Sequence, residues 1–267
     1  MDVDFFIKTF IYVNWIFPSR LTHYIILVMK NQNKSRFKQS WLKIASLIYL
    51  ASMLMPIEPS AAQVTFNPPK EQAPKSSIGG ASRDASTCGA DMTATTKASV
   101  TPLLPNTNIG LTIAEHPAIL VYVPQTKAKK ALFGLQDEQG KQSYQTTLAL
   151  PQKPGVVEIK LPSSVSALKI GKNYRWSLVM ICTEELEPDS PWVSGWIRRV
   201  ESNRNLNNQP TLELAFKLAN MGIWYDSLST LAELKRKQPN DLKVTTSWQE
   251  LLKSVNLNAI AEAPLAN

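Results

Sequence analysis

From Ile109 onward the chain alternates short apolar stretches with turn residues, a rhythm that predicts strands. Ala118–Val123 is an apolar run between Pro117 and Pro124. Residues 131–136 and 143–150 flank Asp137-Glu-Gln-Gly140, which predicts a hairpin whose loop ends in glycine. In 155–161, Val157, Ile159 and Leu161 alternate with Glu158 and Lys160, as in a half-buried strand. The clearest strand is 174–182, where period two puts Tyr174, Trp176, Leu178, Met180 and Cys182 on one face. Residues 193–201 add another, with Trp196 on the opposite face from Ile197. About seven short strands at this spacing predict an antiparallel, immunoglobulin-like β-sandwich rather than a parallel α/β sheet, and the domain is placed at 106–203.

Beyond Pro210 the period becomes helical, and 204–267 is read as a three-helix segment. Leu212, Ala215, Phe216 and Ala219 form one face, and Gly222 marks a stop. Tyr225, Leu228, Leu231 and Leu234 suit a second helix, with Lys235-Arg236-Lys237 at its C-terminal dipole end. Ser247 and Glu250 form a capping-box pattern ahead of Leu251, Leu252 and Val255. Leu214, Ala215, Leu218, Gly222, Trp224, Ser227, Leu231 and Pro239 fall at the spacings of a single tetratricopeptide repeat, which makes the segment TPR-like. Ser227 replaces the usual alanine, and Thr211 the usual early aromatic residue. One repeat cannot build a concave groove, so the reading is a helical appendage capping the sandwich.

Upstream, 63–105 is rich in Pro, Ser, Thr, Gly and Ala without apolar periodicity, and reads as an extended arm. Residues 30–43 are basic without an acid, 44–55 are apolar, and Ser60-Ala-Ala62 are small. That order is a secretory signal over 29–62, with cleavage after Ala62 and export to the periplasm, envelope or exterior. The apolar run is shorter than the roughly 20 residues of a membrane-spanning helix, so the membrane is met only through the signal. A start at Met29 makes 1–28 an overhang upstream of the translated chain.

Composition changes little. The chain of 267 residues is 44% hydrophobic and 19% charged, as ordinary globular proteins are. The first 62 residues hold seven of the 29 basic and three of the 21 acidic residues, so the remainder is only mildly basic. That is too mild to argue for nucleic acid by charge alone, and no nucleic-acid partner is expected.

Two histidines and two cysteines exclude most His/Cys metal and redox motifs, and the sequence calls for no cofactor. Cys88 and Cys182 both lie beyond the cleavage site, where an oxidising compartment favours a disulfide between them. No catalytic motif is present, neither a Gly-x-Ser-x-Gly elbow, nor a His-Glu-x-x-His pair, nor a phosphate loop. Any His-based triad must rest on His116. Glu184, Glu185, Glu187 and Asp189 match no calcium loop and read as a solvated turn. Lys127, Lys129, Lys130, Arg198 and Arg199 offer cations to anionic envelope polymers.

Several ordered segments resemble a cyanobacterial family known as domain of unknown function 928. They are Gly79-Gly-Ala-Ser-Arg-Asp-Ala-Ser-Thr-Cys88, Gly110-Leu-Thr-Ile-Ala-Glu-His-Pro117, residues 132–140, Tyr174-Arg-Trp176, Gly195-Trp-Ile-Arg-Arg-Val200 and the helical stretch 215–239. Asp84 stands where the family has glycine. The resemblance implies an exported protein and supplies no catalytic residues. The expectation is a non-enzymatic interaction module for another envelope or exported protein. Trp192, Trp196, Trp224 and Trp248 are its candidate surface anchors, with Arg198 and Arg199 beside them. The alternative is an envelope hydrolase using His116 with an acidic partner.

Overall fold

The chain forms eight strands, of which 130–137, 142–149 and 173–181 alternate more buried with more exposed side chains. The eight are β1 Thr101–Pro102, β2 Ile109–Thr112, β3 Ala118–Val123, β4 Lys130–Asp137, β5 Gln142–Ala149, β6 Gly155–Lys160, β7 Asn173–Ile181 and β8 Trp192–Arg199. The computed structural model describes residues 64–69, 74, 88, 99–202 and 209–266. The leader at 29–62, the overhang at 1–28 and most of the arm lie outside the described residues. Among the described residues no helix is long and apolar enough to cross a membrane.

The strands form two sheets, ordered β1-β3-β6 and β2-β8-β7-β4-β5. All pairings are antiparallel except β2 with β8, which run parallel with Ile109 opposite Trp196. The β4–β5 hairpin is closed as its sequence requires. Gly140 takes φ of +78°, which is open to glycine, and Asp137 Oδ1 accepts the amides of Gln139 and Lys141.

Three helices follow: α1 Leu212–Asn220, α2 Trp224–Lys237 and α3 Leu242–Lys253. Thr211 caps α1 by accepting the Leu214 amide at 3.1 Å. The capping box expected at Ser247 is not formed: α3 is capped six residues earlier by Asp241, which accepts from the Lys243 and Val244 amides. Ser247 sits inside the helix, where its hydroxyl donates to the Lys243 carbonyl at 2.7 Å.

The helices do not stand apart from the sheets. Trp224, Leu228, Leu231, Trp248 and Leu251 join Ile119, Val121, Phe133, Trp176 and Leu178 in one continuous core. Strictly, then, "appendage" misplaces them, because a helix that shares its apolar face with a sheet is part of the same fold. The arm differs from expectation in the same way. Val64 and Phe66 are buried, and the Phe66 ring meets Trp224 edge-on at 4.8 Å. The Val64 amide donates to Glu250 Oε2, the Phe66 amide to Ser254 Oγ and the Asn67 amide to the Ala219 carbonyl. At 64–69 the arm is a docked segment, not a tether.

Candidate functional site

Helix α2 meets the five-stranded sheet at Tyr225. Tyr225 is buried, and its hydroxyl accepts from Trp176 Nε1 at 2.7 Å while donating to the Trp196 carbonyl at 3.1 Å. Beside it, Trp224 Nε1 donates to the Leu103 carbonyl at 2.8 Å. Burial pushes the Tyr225 phenol far above its ordinary value, so it stays a neutral donor. Glycines make room for these rings. A Cβ on Gly110 would lie 2.6 Å from the Tyr225 ring, and one on Gly195 would lie 2.8 Å from the Trp176 ring.

One residue along α2, Asp226 turns its carboxyl to the end of β2. Its Oδ2 accepts the Ile113 amide at 3.2 Å, and the Thr112 side chain bonds the same carboxyl. Burial outweighs these bonds and raises the Asp226 pKa above 3.8. Next to it a cleft of about 190 Å³ opens between α2, β6 and the β2–β3 connection. His116, Glu158, Lys160, Ser229 and Glu233 line it with Asp226. His116 Nε2 lies 2.8 Å from the Val165 carbonyl, which can only accept, so that nitrogen carries a proton and Nδ1 faces elsewhere. Glu158 is held by Arg236 at 2.6 Å and Lys160 at 3.7 Å, and Glu233 by Lys237 at 2.7 Å.

Titration of Asp226 has a definite sign. A carboxyl whose folded pKa is raised stabilises the fold below 3.8, and that contribution is lost as pH rises through the folded pKa. Urea unfolding of wild type and Asp226→Asn across mildly acidic pH will therefore show the stability difference moving towards wild type as pH falls. A difference that stays constant over that range would mean the carboxyl titrates as it does in the unfolded chain.

The residues singled out from sequence scatter. Cys88 and Cys182 are joined, with Cα atoms 5.0 Å apart, and Cys88 is buried. Trp196 is 4% exposed, and Trp224 and Trp248 are 0% exposed, which corrects their assignment as surface anchors. Trp224 and Trp248 lie in the core that the sheets and helices share. Only Trp192 is half-exposed, with the Arg175 guanidinium 6.0 Å from its ring centre. The two arginines are engaged internally: Arg198 donates to Asn173 Oδ1, and Arg199 binds Glu115 at 3.0 Å and the Leu168 carbonyl at 2.9 Å. Lys127, Lys129 and Lys130 are exposed, as are Glu184, Glu185, Glu187 and Asp189. Sequence reasoning missed Asp226 and Tyr225 as a site. The only available signal was the helical period carrying Tyr225, which says nothing about which strand end it reaches.

Two mostly antiparallel sheets joined to three C-terminal helices by a buried Trp–Tyr contact define a mainly β domain with a helical C-terminus. The model of the family Domain of Unknown Function (DUF928) matches residues 78–265, and the chain belongs to that family. No curated protein matches it. The segments Gly110–Thr112, Tyr174–Trp176 and Gly195–Trp196, which carried the resemblance, converge on the Tyr225 junction.

Proposed function

We propose that this is an exported protein of the periplasm or cell envelope that works by binding another exported protein rather than by catalysis. The Cys88–Cys182 bond supports the export in this reading, because such bonds persist in oxidising compartments. The basic, apolar and small-residue order of 30–62 agrees with it. In this reading the two sheets are an immunoglobulin-like sandwich and the helices a single TPR-like unit that seals one side of the core. Edman sequencing of the protein recovered outside the cytoplasm should begin at Gln63. Full-length chain in the cytosol, with both cysteines as thiols, would overturn the reading.

A second reading, an envelope hydrolase using His116, draws on the cleft, where His116 shares the lining with Ser229 and three carboxylates. General-base work needs a partner positioned on the imidazole and a free nitrogen towards substrate. The His116 ring nitrogen that is placed spends its proton on a backbone carbonyl, which suits a structural role. His116→Ala at matched abundance should rescue a deletion strain as well as wild type. Failure to rescue would move the hydrolase ahead.

A further inference from the structure

Two sheets present four edges, and three of them are closed. β1 is two residues long and includes Pro102. The four residues of β2 are buried, and the chain continuing from it is capped by Asp226. β6 is covered by the C-terminal tail, since the Val156 amide donates to the Pro264 carbonyl and the Ala266 amide to the Val156 carbonyl, both at 2.8 Å. The fourth edge, β5, is eight residues long, and among the described residues nothing pairs with its outer side.

Bare edges are ordinarily blunted by charge, proline or brevity. β5 uses none of these, and its one irregularity, a register shift opposite Leu135 and Gln136, lies at the start of the strand. From Gln142 to Leu150 there is neither a charged residue nor a proline, in a chain of net charge +8. We propose that this edge pairs with β5 of a second copy, antiparallel about a two-fold axis through Thr146, to make a continuous ten-stranded sheet. The occupant follows from the strand's own pattern. Opposed residues in an antiparallel pair must share a face, so their numbers sum to an even value. A two-fold through Thr146 then sets Tyr144 against Leu148 of the second copy, twice, with Thr146 against Thr146 between them. All three are half-buried in the single chain, and Tyr144 already leans on Phe133 at 6.4 Å between ring centres. Aromatic–aliphatic and Thr–Thr pairs are the cross-strand partners that stabilise sheets. On the outer face the same register sets Gln145 against Thr147 and Ser143 against Ala149, so no charged residue meets another along the seam. An unrelated extended peptide has no such register to satisfy. The isologous pairing is independent of where the protein resides or what else it binds.

Sedimentation velocity across the micromolar range tests it on the disulfide-bonded chain from residue 63. Wild type should move from monomer to dimer with rising concentration. Gln145 and Thr147 are exposed, so their substitution leaves the monomer's thermal midpoint unchanged, which differential scanning calorimetry checks. Q145K/T147K places lysine opposite lysine twice and should raise the dimer dissociation constant by about tenfold or more. Q145K/T147E places lysine opposite glutamate twice and should restore dimerisation to at least the wild-type level. A wild type that is monomeric throughout overturns the proposal, as do two variants that dimerise equally. Loss of the dimer in Q145K/T147E as well overturns it too, since only the register about Thr146 pairs those charges.

Discussion

Replacing Cys182 with serine will lower the free energy of unfolding by about 4 to 5 kcal/mol, the largest stability effect expected of any single change outside the core. The bond joins residues 94 apart, and a loop of that length retains much conformational freedom once the link is gone. Both ends are well placed to transmit the loss. Cys88 is buried, and Cys182 follows directly on β7 and packs against the core. Urea unfolding of the oxidised protein, the reduced protein and Cys182→Ser should give one high midpoint and two low ones. Coincident midpoints for oxidised and reduced protein would show that the bond constrains nothing.

Tyr225→Ala should cost about 3 to 5 kcal/mol, the range for emptying an aromatic site in a core. The ring lies directly over Gly110, and its hydroxyl is the one acceptor for Trp176 Nε1, so truncation leaves both a void and a buried donor without a partner. Tyr225→Phe separates the two effects. It keeps the ring and removes only the hydroxyl, at about 1 to 3 kcal/mol for the unsatisfied group. Chemical denaturation of both variants, together with the tryptophan fluorescence of the native state, measures the split. Equal losses in the two variants would assign the whole effect to the hydroxyl and none to packing.

How far the sequence could be read depended on the range of the interactions. Strands with an unbroken apolar run or an alternation of six or more residues, such as β3, β4 and β7, are legible to within a residue or two of their observed ends. β1 and β2, at two and four residues, are too short to show a period. The parallel β2–β8 pairing depends on contacts across more than eighty residues and leaves no local trace. Ser247 illustrates a different failure. Its spacing to Glu250 satisfied a capping box, but a serine hydroxyl is equally content to bond back to the preceding turn, and Asp241 held the true start. The tryptophans failed as anchors because period gives the face of a strand, not whether a helix will cover that face. Val64 and Phe66 were lost among prolines and serines, since two alternating residues are indistinguishable from chance. The cysteine pair was legible because only one pairing was possible.

The contact between the segment at Val64–Phe66 and helix α3 also orders events in time. The two bonds that hold it span 186 and 188 residues, from near the start of the folded unit to near its end. A chain that emerges from a ribosome or a pore N-terminus first displays Val64 and Phe66 long before Glu250 and Ser254 exist beside them. Until that last helix arrives, the segment has only α1 and the Trp224 ring to close upon, and its Val64 and Phe66 amides lack their partners. Vectorial delivery therefore yields an incomplete, pliable chain right up to the final turns of α3, and only a released C-terminus lets the molecule lock.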